Sequence, residues 1–478
     1  MLRELSSVPL TSTSIDPFRE ILEPAEWDGF RATMQQASTR LNGRRIWNIN
    51  STAHGGGVAE MLAWQIPYER GVGMDVRWLV IEGQPAFFAF TKRLHSLLHG
   101  VAADGSAITD AERTAYEGTL AQNAEALAGQ VRAGDVVIVH DPQPAGLIPD
   151  LVRRRCCVIW RCHIGIDEAN DVAKAAWHFL MPYVGAAHAT VFSRRAYVWD
   201  GLEGKRVAII PPAIDAFTPK NEELAPANVA AILKATGILA DGAISGEPSF
   251  RRRDGSPALV RRSTELLPRA RVHDGPRVVV QVSRWDRLKD PLGVLQGFAD
   301  FVAPGTDAHL ILAGPGLSSV VDDPEEKDVF RDLENRWNGL QPGLRDRIHL
   351  ARLPTKDTDE NAAVVNALQR RADVVVQKSL REGFGLTVAE AMWKGRPVVA
   401  TRVGGIQDQI QDGKSGVLID DPRDLASFGR AVNRLLNDPE TAKRLGEAAR
   451  VRVRQEFLAP GLLRQQARLI LSLLQSEP

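Results

Sequence analysis

Cysteine is scarce in this chain, with three among 478 residues. Cys156, Cys157 and Cys162 all fall inside one apolar stretch. An odd number crowded into a strand-like segment excludes a disulfide framework, and the spacing fits no zinc pattern even with His163 alongside. Buried, reduced thiols are expected. Net charge is absent too, since 59 Lys and Arg balance 59 Asp and Glu. Without a global positive field, nucleic acid and anionic lipid are poor partners, and an anionic ligand must be gripped by a few local cations. No apolar run approaches the ~18 residues that a membrane helix needs. The opening MLRELSSVPLTSTS lacks the charged start and apolar core of a signal peptide. These absences give the expectation of a cytoplasmic protein. Nothing decides the oligomeric state, and a homodimer is compatible with the sequence.

What is present is a repeated alternation. Strand-like runs stand at 45–50, 76–81, 135–140, 157–161, 190–193 and 207–210, then at 278–283, 309–313, 348–350, 374–377 and 397–401. Helical spacing separates them, as at 58–70, 291–302, 362–371 and 386–394. Short continuous apolar strands between helices indicate parallel sheets covered on both faces, an α/β architecture. The length asks for two or three domains. Two α/β halves of similar size invite a ligand cleft between them.

The alternation breaks once, over 221–275. A helix at 225–235 is followed by a polar stretch rich in Pro, Gly and Arg, in which no strand pattern is visible. It reads as a connection plus a solvated insertion at 236–275; polyanion binding by its Arg-rich part, 245–275, is the less favoured reading. The tail is helical by spacing at 425–436, 440–457 and 460–474. The resulting division is an extension at 1–43, a first domain at 44–213 completed by the helix 458–478, and a second domain at 214–457.

Glycine-rich turns mark the candidate site. Gly55, Gly56 and Gly57 join a strand to a helix, where backbone N–H groups and the helix dipole favour a phosphate or a sugar diphosphate. Arg284 and Lys289 directly follow the first strand of the second series, as cations suited to a leaving diphosphate. Glu382, Gly383, Phe384 and Gly385 form a loop before a helix that starts at Leu386 and carries Glu390. Two carboxylates eight residues apart allow a hydrolase pair without requiring one. The neighbours Ala389, Ala391 and Met392 place Glu390 on a buried helix, where it needs polar partners. Gly404 and Gly405 form another strand-to-helix turn. His140, Asp141 and Gln143, like His163, stand just beyond strand ends. No GxSxG elbow supports a serine triad, and Asp357-Thr358-Asp359, a DxD match, has no flanking ligand cluster and reads as chance.

Together these stretches resemble the retaining glycosyltransferases of family GT4, which have a GT-B fold of two Rossmann-like domains. The likeness spans 42–457 and extends to its branch of trehalose glycosyltransferring synthases, through NSTAHGGGVAEML, HDPQPAGLIP, WRCHIG, QVSRWDRLKD and REGFGLTVAEAMWKGRPVVATRVGGIQDQI. It implies glucosyl transfer from a nucleoside-diphosphate-glucose to glucose or a similar small sugar acceptor, with no metal and no resident cofactor. By the same resemblance, Arg284 and Lys289 bind the diphosphate, Glu390 the ribose, and Glu382 with the 383–386 backbone the donor sugar. Gly56 and Gly57 approach the phosphates, His163 contacts the donor sugar near its reacting carbon, and Asp141 and Gln143 face the acceptor. The diphosphate itself takes the acceptor's proton, so no nucleophile is required. The chain departs from the pattern at Gly165, where an Asp is usual, and in the length of the Arg-rich insertion. A phosphorylase or a nucleotide-sugar epimerase on the same fold, and an inactive binding module, are the competing readings.

Overall fold

A computed structural model describes residues 5–53, 56–102, 107–202, 204–240, 246–268, 271–273, 275–316 and 324–475. The chain divides into two compact units, Met1–Ala213 with Ala459–Pro478, and Ile214–Leu458. Among the described residues each unit holds one seven-stranded sheet. No described helix is long and apolar enough to cross a membrane.

In the first unit the parallel strands run in the spatial order Asp75–Val80, Arg45–Asn50, Val136–His140, Cys157–Cys162, Ala189–Phe192 and Val207–Ile209. Ser6–Ser7 adds an antiparallel edge beside Asp75–Val80. The N-terminal segment is therefore part of this unit: besides that edge it supplies the helix Pro24–Arg40.

The two faces of this sheet differ in chemistry. Alternate residues Trp47, Ile49, Val137, Val139, Trp160 and Phe192 bury one face among Phe87, Phe90, Tyr116 and Phe179 from the helices over it. Each such large side chain contributes on the order of 2–3 kcal/mol by leaving water. The opposite face carries, beside Ile46, Ile138 and Ile159, three polar side chains buried on adjacent strands: Asn48, His140 and Arg161. Helix Gly57–Gly71 supplies Gln65 and Glu69 to this face, and helix Ala459–Leu474 supplies Gln466. Arg161 Nη1 donates to Gln466 Oε1 at 3.0 Å, while Gln466 Nε2 donates to Glu69 Oε1 at 2.8 Å. The three cysteines are free and buried, and burial pushes the Cys156 thiol up to about 11.

In the second unit the parallel order is Ile348–Leu353, His309–Pro315, Val278–Val282, Val374–Gln377, Val398–Thr401 and Val417–Ile419, with Glu265–Leu267 antiparallel at the edge. The segment expected to form one helix over 291–302 is an α-helix, Pro291–Gly297, followed by a π-helical turn, Phe298–Val302. Two tail helices of this unit, Leu425–Asn437 and Pro439–Glu456, are capped by Asp424 and Asp438, while the last, Ala459–Leu474, belongs to the first unit.

The Arg-rich insertion corrects the expectation of a strandless loop. Ser249–Arg251 and Pro257–Leu259 form an antiparallel hairpin. Arg252 makes a bidentate contact with Asp357 at 2.7 and 3.0 Å, Arg253 lies 3.1 Å from Asp359, and Arg262 pairs with Glu360. Its arginines neutralise the acidic start of helix Thr358–Arg371. Strands of three residues are too short to show a period of two, and their charge partners lie about a hundred residues away.

Candidate functional site

Open parallel sheets bind ligands beyond the carboxyl ends of their strands, where the strand order reverses direction. In the second unit that point lies between Val278–Val282 and Val374–Gln377, and in the first between Arg45–Asn50 and Val136–His140. The candidate residues cluster at these two places, each within its own unit.

At the second unit's switch point two loops are tied together. Leu380 N–H donates to the Leu288 carbonyl at 2.7 Å. Lys289 Nζ lies 2.5 Å from Glu382 Oε2, which also accepts from Ser379 Oγ at 3.4 Å. The next residue, Asp290, is left-handed at φ 50° and pairs with Lys378. A non-glycine residue in that region costs about 1–2 kcal/mol, and three contacts hold it there. These are the Lys378 ammonium, the cap to Gly293 N–H at 3.0 Å, and the hydrogen bond from Asp290 N–H to the Arg287 carbonyl. A side chain at Gly293 would collide with both the Asp290 carboxylate and Lys378. Lys378 is 1% exposed; a lysine just past a strand reads as solvated, so nothing in its sequence context marked it. Arg284 stays open to solvent, 61% of its side chain exposed, 3.2 Å from Asp286.

Gly385 caps helix Leu386–Trp393 at φ 83°, a conformation that favours glycine. Gly405 N–H donates to the Gly383 carbonyl at 3.0 Å, and Gln409 Nε2 to the Phe384 carbonyl at 2.5 Å. The Gly404–Gly405 turn thus buttresses the 383–385 loop. Phe384 is buried against Phe457 at 5.8 Å, and Leu386 is half-buried. Glu390 is 3% exposed, with Lys220 Nζ 3.5 Å from its Oε1. Lys394 donates to the Glu390 carbonyl and to Asn221 Oδ1, both at 3.1 Å. Burial pulls the Lys394 ammonium below its usual range, against the attraction of Glu390.

In the first unit Gly56, at φ 80°, precedes helix Gly57–Gly71, and both glycines are exposed. Gly55 lies outside the described residues. Asp141 is left-handed at φ 64°. Its Oδ1 accepts from the His163 N–H at 2.7 Å, and its carbonyl accepts from Trp160 Nε1 at 3.0 Å. Burial raises its carboxyl to about 7, against the His163 N–H and Arg161. Gln143 is half-buried just beyond. His163 Nε2 lies 3.1 Å from His140 Nδ1, bringing these strand-end residues into one cluster. A side chain at Gly165 would overlap the Tyr197 ring, and Asp167 pairs with Arg194. Asp357 of the DxD match caps its helix through the N–H groups of Asp359 and Glu360, a structural role.

The N-terminal domain model of trehalose synthase matches residues 48–199, and the group 1 glycosyl transferase model matches 263–452. A trehalose synthase of Rubrobacter xylanophilus is 37% identical over 92% of this chain and 93% of its own length. The chain belongs to the trehalose synthase family. Another member of that family, from Pyrococcus horikoshii, is 32% identical over 96% of both chains. The fold is that of the GT-B glycosyltransferases. An E. coli structure described as trehalose-6-phosphate bound with UDP-2-fluoro glucose aligns at a TM-score of 0.66, with 13% identity, over 91% of this chain and all of the other. In the trehalose synthase family, then, this chain places its cationic pair and its glycine loops at the switch points of the two sheets.

Proposed function

We propose that the protein moves glucose from a nucleoside-diphosphate-glucose to free glucose, forming trehalose with retention and without a metal ion. The observation that carries this reading is the Lys289–Glu382 contact at the switch point of the second sheet. A diphosphate needs a cation there, and a sugar's hydroxyls need an acceptor beside it.

In this reading Lys289 and Arg284 neutralise the charge that grows on the diphosphate as its bond to the anomeric carbon breaks. Glu382 and the 383–386 backbone hold the glucosyl hydroxyls, and Glu390, steadied by Lys220, takes the ribose hydroxyls. Gly56 and Gly57 offer N–H groups to the phosphates, and His163 contacts the donor sugar. Asp141 and Gln143 face the acceptor. The acceptor oxygen bonds to the anomeric carbon while its proton passes to the departing phosphate oxygen on the same face. No protein nucleophile takes part.

A donor-by-acceptor screen with product analysis tests the proposal. Nucleoside-diphosphate-glucose plus glucose is expected to give nucleoside diphosphate and disaccharide in equal amounts. Disaccharide formed only from glucose 1-phosphate would assign a phosphorylase instead. No product from any donor would reject glucosyl transfer altogether.

A further inference from the structure

A chain of buried polar contacts runs from the interior of the first unit to His163. Asn48, fully buried on strand Arg45–Asn50, faces His140 Nε2 through Oδ1 at 2.9 Å. His140, 1% exposed at the end of strand Val136–His140, faces His163 Nε2 through its Nδ1 at 3.1 Å. The two imidazole rings lie within 16° of parallel.

With the Asn48 amide oxygen, and not its NH2, turned to His140, the proton positions follow. An amide oxygen only accepts, so His140 must carry its proton on Nε2. A neutral imidazole has one N–H, which leaves His140 Nδ1 as an acceptor. The facing atom, His163 Nε2, must then be the donor, and His163 Nδ1 keeps a lone pair. Both rings are held neutral: burial first, and then the nearby Arg161 guanidinium, lower both imidazoles, His140 to about 3. His163 is itself fixed in place by its own N–H bond to Asp141.

We propose that Asn48, acting through His140, is a positioning residue that fixes His163 as its Nε2–H tautomer, so that His163 offers an acceptor and not a donor to a hydroxyl of the bound sugar. The inference deepens the reading of His163 as a donor-sugar contact and rests on it for its functional part. Asn48 and His140 sit 115 and 23 positions before His163, and both would otherwise pass as ordinary buried polar residues. A hydroxyl donates to the bare Nδ1; an N–H there would compete with it and leave one buried partner unmatched.

Long-range proton–nitrogen NMR of the full-length protein labelled with 15N-histidine reads the tautomer directly, with His163 identified from the signals lost in His163→Gln. The expected spectrum shows a protonated Nε2 and a bare Nδ1 at pH 7. Asn48→Leu is expected to populate the other tautomer and to lower turnover about tenfold, with affinity for the nucleoside diphosphate alone within about twofold. Asn48→Asp, still an acceptor toward His140, is expected to restore the tautomer. A wild-type His163 protonated on Nδ1, as a reversed Asn48 amide would give, overturns the proposal without any variant. So does an Asn48→Leu spectrum with the tautomer unchanged. Full turnover in His163→Ala would instead overturn the contact between His163 and the donor sugar, leaving the tautomer result standing by itself.

Discussion

The ammonium of Lys289 lies 2.5 Å from the carboxylate of Glu382, joining two motifs 93 positions apart at the switch point of one sheet. The pair places a cation for a diphosphate next to an acceptor for a sugar. Lys289→Ala is expected to lower kcat/KM for the donor by about a hundredfold or more and to weaken nucleoside diphosphate binding. Glu382→Gln should lower turnover while the diphosphate binds nearly as well. Steady-state kinetics and calorimetric titration separate the two; full activity in Lys289→Ala would contradict the assignment.

Behind that pair, Lys378 meets Asp290 in the opposite polarity. Removing a buried cation leaves its partner uncompensated, so Lys378→Met should destabilise the protein by about 3–5 kcal/mol. The double variant Lys378→Met with Asp290→Asn should recover part of the loss. Urea unfolding midpoints check this, and equal midpoints for wild type and Lys378→Met would refute it.

Much of this was legible beforehand. The central strands of the second sheet, Val278–Val282, Val374–Gln377 and Val398–Thr401, are dominated by Val, so a sheet buried on both faces shows itself directly there, and glycine turns mark where strands hand over to helices. Lys378, Gln466 and Asn48 were not legible. Each matters through a partner far along the chain: Gln466 reaches Arg161 from 305 residues away. Local pattern carries no trace of such pairings. The hairpin at 249–259 is not legible because charge dominates its composition, while the acidic residues that balance it belong to another segment.

Glu69 gives the fold a pH signature. Burial raises its carboxyl from 4.5 to about 7, opposed by hydrogen bonds from Gln65 and Gln466 and by Arg161. The folded state keeps this proton where the unfolded chain loses it, so the associated stability is full below pH 4.5 and lost as pH rises through 7. Glu69→Gln retains a carbonyl for both glutamines and never ionises. Between pH 5 and 8 it should lose less stability than wild type, by at most about 3 kcal/mol. Identical pH dependence of the urea midpoints in the two proteins would contradict the buried, protonated carboxyl.

Gly165 leaves room for the Tyr197 ring. Gly165→Asp should destabilise the first unit by about 1–3 kcal/mol through overpacking, and the same substitution should cost less when made in a Tyr197→Ala background. Thermal midpoints of the single and double variants decide the matter. A single variant as stable as wild type would count against that packing.

The Asp357-Thr358-Asp359 stretch is engaged with Arg252, Arg253 and its own helix. Chelator treatment should therefore leave turnover unchanged. Asp357→Ala, which removes the cap, should cost about 1–2 kcal/mol of stability without creating a metal requirement. Activity lost to chelator and restored by a divalent cation would reverse the assignment.

The central claim concerns one carbon atom. Nucleoside-diphosphate-glucose carrying 13C at its anomeric position, mixed with enzyme and unlabelled glucose, can be followed by NMR as the reaction runs. The account predicts that the label moves into an α-linked non-reducing disaccharide while an equal amount of nucleoside diphosphate appears. Label retained in the donor, transferred with β configuration, or released as free glucose would contradict it.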